Sequence, residues 1–285
     1  MGDKIYMKRL WVYGDSFADT NHAGRPSVAT GWAKMLSGSL LGIPLTNRAI
    51  SGSSTEYAIK SFIEDVNKNY IGDNDIIIVV TSSLGRLYFS YQLNIEPASA
   101  SIYLNKPPPN FPQEWYQKNK DHIEWWMINN DHIMQRITFE SYAQLLKNFA
   151  ISKPNCTVIL LPAFNNGYAE DIFNNVPPRN FLRSNTYLMN VSKAETGIKD
   201  DRNFNYRDWC EHTKNDPRAN HLTNPNIAIL STLLGESIQN LTMDNITYDK
   251  FISNNIQKIT SQEQYLKYIA DGLLSHRYDI QNNLT

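Results

Sequence analysis

The apolar positions of the chain fall into two rhythms that alternate along its first 160 residues. Ile5 to Tyr13 mixes apolar and β-favouring side chains and stops at Gly14, the pattern of a strand entering a turn. After a polar loop, Asn21 to Thr30, the residues Trp32, Met35, Leu36 and Leu40 fall near helical spacing within Gly31 to Leu41. A short strand around Pro44 to Asn47 ends in the turn Ser51-Gly52-Ser53. Ala58, Ile59, Phe62, Ile63, Val66 and Tyr70 then recur at three- and four-residue steps, which predicts an amphipathic helix over Ser54 to Tyr70. Gly72-Asp73-Asn74 is turn chemistry, and Asp75 to Thr81 is a continuous apolar run, the mark of a strand buried on both faces. The cycle repeats with a long helix from about His132 to Ile151, a turn at Lys153-Pro154-Asn155, and a second buried strand from Cys156 to Leu161. Strands alternating with helices predict right-handed crossovers and a parallel sheet covered by helices on both faces, an α/β fold.

Two long segments break the rhythm. Residues 88–130 hold Pro107-Pro108-Pro109, Pro112 and the aromatics Tyr103, Trp115, Tyr116, Trp125 and Trp126, and residues 164–214 are Asn-rich and weakly periodic. Loops of this length in a compact domain act as lids and binding surfaces, or pack as small insertions. The expected organisation is one domain over 1–240 with these two insertions, and a C-terminal extension, 241–285, packed on it with a helix over Gln262 to Leu274.

Charge narrows the range of functions. With 27 Lys+Arg against 28 Asp+Glu, the net charge of −1 leaves no basic excess for binding nucleic acid. No apolar run approaches the ~18 residues of a membrane span, and the N-terminal stretch carries neither an apolar signal core nor a cleavage site, so a cytoplasmic location with no membrane partner is expected. The two cysteines, Cys156 and Cys210, are too few for a disulfide framework and match no zinc spacing, although one bridge between them is permitted. Asp121-His122-x-Glu124 and Glu211-His212 complete no ligand set, so no metal and no cofactor are expected.

The sharpest chemical signal is Gly14-Asp15-Ser16-Phe17-Ala18-Asp19, directly after the first predicted strand. A serine on a tight turn there projects its hydroxyl from the carboxyl edge of the sheet, where open α/β folds bind ligands. Serine is a weak nucleophile unaided and needs a base with an orienting partner. Far downstream, His221 lies in Asp216-Pro217-Arg218-Ala219-Asn220-His221-Leu222, just before a helix that Asn224 and Pro225 are suited to start. Of the six histidines it is the one with a nearby carboxylate and a rigid element behind it.

The first motif resembles the opening block of the SGNH (GDSL-like) hydrolases, esterases, lipases and deacetylases on a flavodoxin-like sheet. Asn47-Arg48-Ala49-Ile50-Ser51-Gly52 resembles that family's second block, whose glycine amide serves the oxyanion hole, and Asp216 with His221 resembles its last. The resemblance implies a three-layer α/β/α parallel sheet, Ser16 as nucleophile, His221 as base, and the N–H groups of Ser16 and Gly52 as oxyanion donors. Two departures stand out. The family's third block, Gly-x-Asn-Asp, is replaced by Thr81-Ser82-Ser83-Leu84-Gly85-Arg86, so the side-chain oxyanion donor must come from Thr81, Ser82, Ser83 or Arg86. The family's acid lies three residues before the histidine, where this chain has Arg218. Asp216 reaches the imidazole if its loop curls back; otherwise a backbone carbonyl orients the ring and leaves a Ser16–His221 dyad.

The expected activity is therefore hydrolysis of an ester, with an O-acetyl group on a carbohydrate as the leading substrate. Trp115, Trp125 and Trp126 are candidate stacking platforms for sugar faces, and Asp15, Asn47, Arg86 and Arg218 are candidate polar contacts to substrate. Two rivals share these features: an acyltransferase using the same acyl-enzyme, and a carbohydrate-binding protein that keeps the fold without the chemistry.

Overall fold

The computed structural model describes residues 8–19, 31–82, 86–88, 99–101, 114, 117–121, 124–125, 132–164, 177–191, 222 and 224–254. In chain order these hold β1 (Leu10–Tyr13), α1 (Trp32–Met35, continued by a π-helical stretch, Leu36–Leu41), β2 (Leu45–Asn47), α2 (Thr55–Asn67) and β3 (Ile76–Thr81). There follow β4 (Arg86–Tyr88), β5 (Ser99–Ser101), α3 (His132–Ser152), β6 (Thr157–Pro162), β7 (Phe181–Arg183), α4 (Leu188–Val191), α5 (Asn224–Asn240) and α6 (Tyr248–Asn254).

Five strands form one parallel sheet in the order β2-β1-β3-β6-β7, with Val12 facing both Asn47 and Ile78, and Ile78 facing Ile159. Counted along this sheet alone, the order is 2-1-3-4-5, that of flavodoxin-like doubly wound sheets, in which the chain reverses direction of growth between β1 and β3. β4 and β5 form a separate antiparallel pair.

The sheet divides two cores by strict alternation. Leu10, Val12, Ile76, Ile78, Val80, Ile159 and Leu161 pack on one side with Trp32 and Leu36 from the α1 segment and Leu230, Leu233 and Leu234 from α5. Trp11, Tyr13, Ile77, Val79, Val158 and Leu160 pack on the other with Ala58, Ile59 and Phe62 from α2 and Phe139, Ala143 and Leu146 from α3. β3 is buried at every position, which is why its sequence shows no polar alternation. No helix among the described residues is long and apolar enough to cross a membrane.

The expected run of elements is corrected after β6. Residues 164–214 read as an insertion, yet β7 and α4 lie within them and β7 completes the sheet edge by pairing with β6. Arg183 at its end forms a bidentate pair with the buried Glu140 of α3, at 3.0 and 3.2 Å, and stacks over Phe139. A predicted C-terminal helix, Gln262 to Leu274, lies outside the described residues.

Polar groups lock the layers together. On the α2 side, the fully buried Asp65 accepts hydrogen bonds from Arg48 Nη2 at 2.7 Å, Arg48 Nε at 3.1 Å and the Tyr13 phenol at 3.1 Å. Burial, and after it the Asp65 charge, push the Tyr13 phenol far above its ordinary range and keep it a neutral donor. Asp65→Ala leaves that phenol unpaired in the core, while the half-exposed Arg48 can turn to water. A loss of about 2–3 kcal/mol in urea denaturation is expected, and Tyr13→Phe in the Asp65→Ala background should recover part of it.

Cys156 is a free, buried thiol that donates to the Gly72 carbonyl at 3.1 Å, and Cys210, its permitted bridge partner, lies outside the described residues. Burial pushes its thiol up from 9.0 to about 11. Because the folded value is the higher one, its contribution is fully present below pH 9 and is lost as pH rises through 11. In a Cys210→Ser protein, the folded chain should resist iodoacetamide at pH 8.5 and react on unfolding. Rapid alkylation of the native protein would contradict this burial.

Candidate active site

The carboxyl edge of the sheet at the β1/β3 reversal is where the predicted nucleophile stands. β1 is fully buried and ends at Gly14, whose φ of +155° suits glycine. A Cβ there would lie 2.7 Å from Val80 Cβ and 3.0 Å from the Val80 carbonyl oxygen, so β1 can turn out of the sheet this close to β3 only without a side chain. The following turn closes on Asp15. Its carbonyl accepts from Ala18 N and Asp19 N, both at 3.0 Å, and its Oδ1 accepts from Phe17 N at 3.0 Å. Phe17 and Ala18 anchor the turn in the α1/α5 core, where the Phe17 ring meets Phe164 edge-on at 5.5 Å and its carbonyl accepts from Trp32 Nε1. Ser16, partly exposed, rides on a turn fixed on both sides.

The loop after β2 is tied to this turn at several points. Asn47 Nδ2 donates to the Ala18 carbonyl at 2.7 Å, Ser51 N donates to Asp19 Oδ2 at 2.9 Å, and Ile50 N donates to the Gly14 carbonyl at 3.0 Å. Ser53 Oγ adds a bond to the same carbonyl at 2.9 Å. Gly52, with φ of +84°, sits in that loop immediately before α2, whose first turn is capped by Ser54 Oγ accepting from Tyr57 N. Ser16 and Gly52 are therefore carried by two loops stitched to each other.

At the end of β3 the two described hydroxyls differ from what was expected of them. Ser82 Oγ donates to Asp15 Oδ2 at 3.0 Å, so its proton is directed to a carboxylate and away from any oxyanion. Thr81 follows Ile77 and Val79 in register, toward α2 and α3, whereas the Ser16 turn packs on the other side of the sheet. The Thr81 hydroxyl is buried and has no hydrogen-bond partner among the described residues. Asp15 is 0 % exposed, so it is a support for the turn rather than the substrate contact read from the sequence. Asn47 likewise uses both ends of its amide within the loops, its Oδ1 accepting from Ala49 N at 2.8 Å.

The other expected residues are reached only in part. His221, Asp216, Arg218, Ser83, Trp115 and Trp126 lie outside the described residues, as does the side chain of Arg86, whose backbone belongs to β4. Leu222, next to His221, packs against the same core that receives Phe17 and Ala18. Trp125 is 65 % exposed.

Two contributors escaped the sequence reading. Ser53 read as a turn residue and Thr55 as part of the predicted helix, but both are buried and bond to other elements, Ser53 to Gly14 and Thr55 to Ser82. The run Ser51-Gly52-Ser53-Ser54-Thr55 was the available signal, since four hydroxyls around a helix start exceed what one cap needs. Among the described residues, no three His, Cys, Asp or Glu side chains converge to hold a metal ion. The chain matches no protein-family model and no curated protein.

Proposed function

We propose that this chain is a serine esterase of the SGNH (GDSL-like) type, on that family's three-layer sheet, removing an O-acyl group, first of all acetyl, from a carbohydrate. The observation that carries the reading is Ser16 on a glycine-initiated turn at the carboxyl end of β1, at the β1/β3 reversal of a 2-1-3-4-5 sheet, bound to the loop that holds Gly52.

In this reading Ser16 Oγ attacks the ester carbonyl as His221 takes its proton, with Asp216 orienting the imidazole. The N–H groups of Ser16 and Gly52 hold the oxyanion, joined by a donor from Ser83 or Arg86. Collapse of the tetrahedral adduct breaks the ester bond, and the sugar oxygen leaves with the proton from His221. Water, deprotonated by the same histidine, then releases the acid and restores Ser16. The exposed ring of Trp125, with Trp115 and Trp126, supplies stacking faces for sugars. This sequence of steps needs neither metal nor organic cofactor.

The committed hydroxyl of Ser82 favours one competitor, a carbohydrate-binding protein on the same scaffold that has lost its oxyanion donor. Acetate release from acetylated xylo-oligosaccharides separates the two. The esterase releases acetate and its Ser16→Ala variant does not. Sugar binding without acetate release, or equal release by both proteins, removes the proposal.

A further inference from the structure

A closed circuit of buried hydrogen bonds and short chain links ties the start of the Ser16 turn to α2 and to the end of β3. It runs from the Gly14 carbonyl to Ser53 Oγ at 2.9 Å, along the chain to Thr55, and across to the residue after β3, where Thr55 Oγ1 accepts from Ser82 N at 2.9 Å and donates to the Ser82 carbonyl at 3.3 Å. Ser82 Oγ then donates to Asp15 Oδ2 at 3.0 Å, which returns the circuit to the residue beside Gly14. Asp15, Ser53, Thr55 and Ser82 are each no more than 1 % exposed. The Asp15–Ser82 link spans 67 positions of sequence and the Thr55–Ser82 link spans 27.

Burying a carboxylate is unfavourable unless donors surround it. Asp15 meets that condition with an N–H from Phe17 on one oxygen and an O–H from Ser82 on the other, two charge-assisted bonds to groups that offer protons. An acceptor-only side chain is the right partner for two donors. One of those donors belongs to the nucleophile's own turn, and the other belongs to Ser82, directly after β3, which Thr55 fastens to the first turn of α2 and so to the loop holding Gly52. The carboxylate therefore links the turn that carries Ser16 to the loop that carries Gly52.

We propose that Asp15 is a positioning residue: through Ser82 and Thr55 it sets the spacing of Ser16 against Gly52. The inference rests on Ser16 being the nucleophile and adds to it a cause for the geometry that the nucleophile needs. Displacement of a reacting group by about 1 Å can lower the rate by a factor on the order of 10², and Asp15 is placed to prevent such a displacement without touching substrate.

The test compares Asp15→Ala, Asp15→Asn, Ser82→Ala and the Asp15→Ala/Ser82→Ala pair by kcat and KM on an acetate ester. It also compares their rates of Ser16 labelling by a fluorophosphonate, with thermal melts confirming that each variant is folded at the assay temperature. Asp15→Ala should lower kcat and labelling roughly 10²-fold with KM little changed, because the loss is in alignment and not in substrate contact. Asp15→Asn should recover most of this, since its amide oxygen still accepts from Phe17 N and the Ser82 hydroxyl can rotate to accept from its NH2 group. Ser82→Ala should lower kcat less, roughly 10-fold, and the double variant should be no slower than Asp15→Ala alone, as expected of two groups acting through one bond.

A folded Asp15→Ala protein with wild-type kcat and labelling rate overturns the proposal while leaving the esterase intact. So does an Asn variant as slow as the Ala variant, or a double variant whose losses multiply. If Asp15→Ala does not fold, Ser82→Ala and Asp15→Asn decide by the same criteria. Failure of the wild type itself to label at Ser16 or to release acetate overturns the nucleophile reading and this one with it, a result distinct from all the others.

Discussion

Ser16→Ala is expected to lower ester hydrolysis by a factor on the order of 10⁴ or more while leaving the fold unchanged. Removal of the nucleophile takes away the covalent route, and in serine hydrolases the catalysis that remains comes from oxyanion donors and substrate binding alone. The fold should not notice. Ser16 is partly exposed, the turn is closed by bonds to the main chain and side chain of Asp15, and the apolar anchors are Phe17 and Ala18. A melting temperature close to wild type beside an almost complete loss of rate is the expected pair of results, read by calorimetry and by acetate release. Retention of a tenth or more of the wild-type kcat would assign the chemistry to another group.

Gly14→Ala carries the largest expected effect on stability. The added methyl group would stand 2.7 Å from Val80 Cβ, 3.0 Å from the Val80 carbonyl oxygen and 3.4 Å from Ala18 Cβ, at a φ of +155° that L-residues rarely adopt. Val80 cannot retreat: it is fully buried in β3, the central strand, paired with β6 on its other side. Relief must come from moving the Ser16 turn outward, which strains the bonds that Ile50 N and Ser53 Oγ make to the Gly14 carbonyl. Strain of this kind and overpacking each cost about 1–3 kcal/mol, so a fall of roughly 3 kcal/mol in urea denaturation is expected, with the midpoint lowered and the slope unchanged. Activity should fall with it even at denaturant-free temperatures where the variant stays folded. A change below about 0.5 kcal/mol would mean that β1 and β3 do not approach as described.

These effects arise where sequence reading was strongest and where it stopped. The helix α2 was legible because Ala58, Ile59 and Phe62 recur on one face and pack there, and α3 because its apolar positions persist for 21 residues between turn signals. The strands β3 and β6 were legible because double-sided burial removes polar alternation. β7 was not. It is three residues long, ends in a charged Arg183, and exists because β6 offers it an edge and Glu140 a counter-charge, neither of which is local in sequence. The Ser16 turn was legible from its glycine and its position after an apolar run. The buried role of Asp15 was not, because its decisive partner, Ser82, is 67 residues away, and an aspartate in a Gly-Asp-Ser turn reads as an exposed polar group until β3 is brought against it.

The most direct test of the central claim is a fluorophosphonate reaction with the folded chain, followed by peptide mass mapping. An activated serine at the β1/β3 reversal predicts one stoichiometric adduct on the peptide carrying Gly14-Asp15-Ser16, located at Ser16, with acetate release lost in step with labelling and no adduct on the Ser16→Ala protein. A chain that releases acetate while Ser16 remains unmodified, or that is labelled and inactivated at a different residue, would contradict the account.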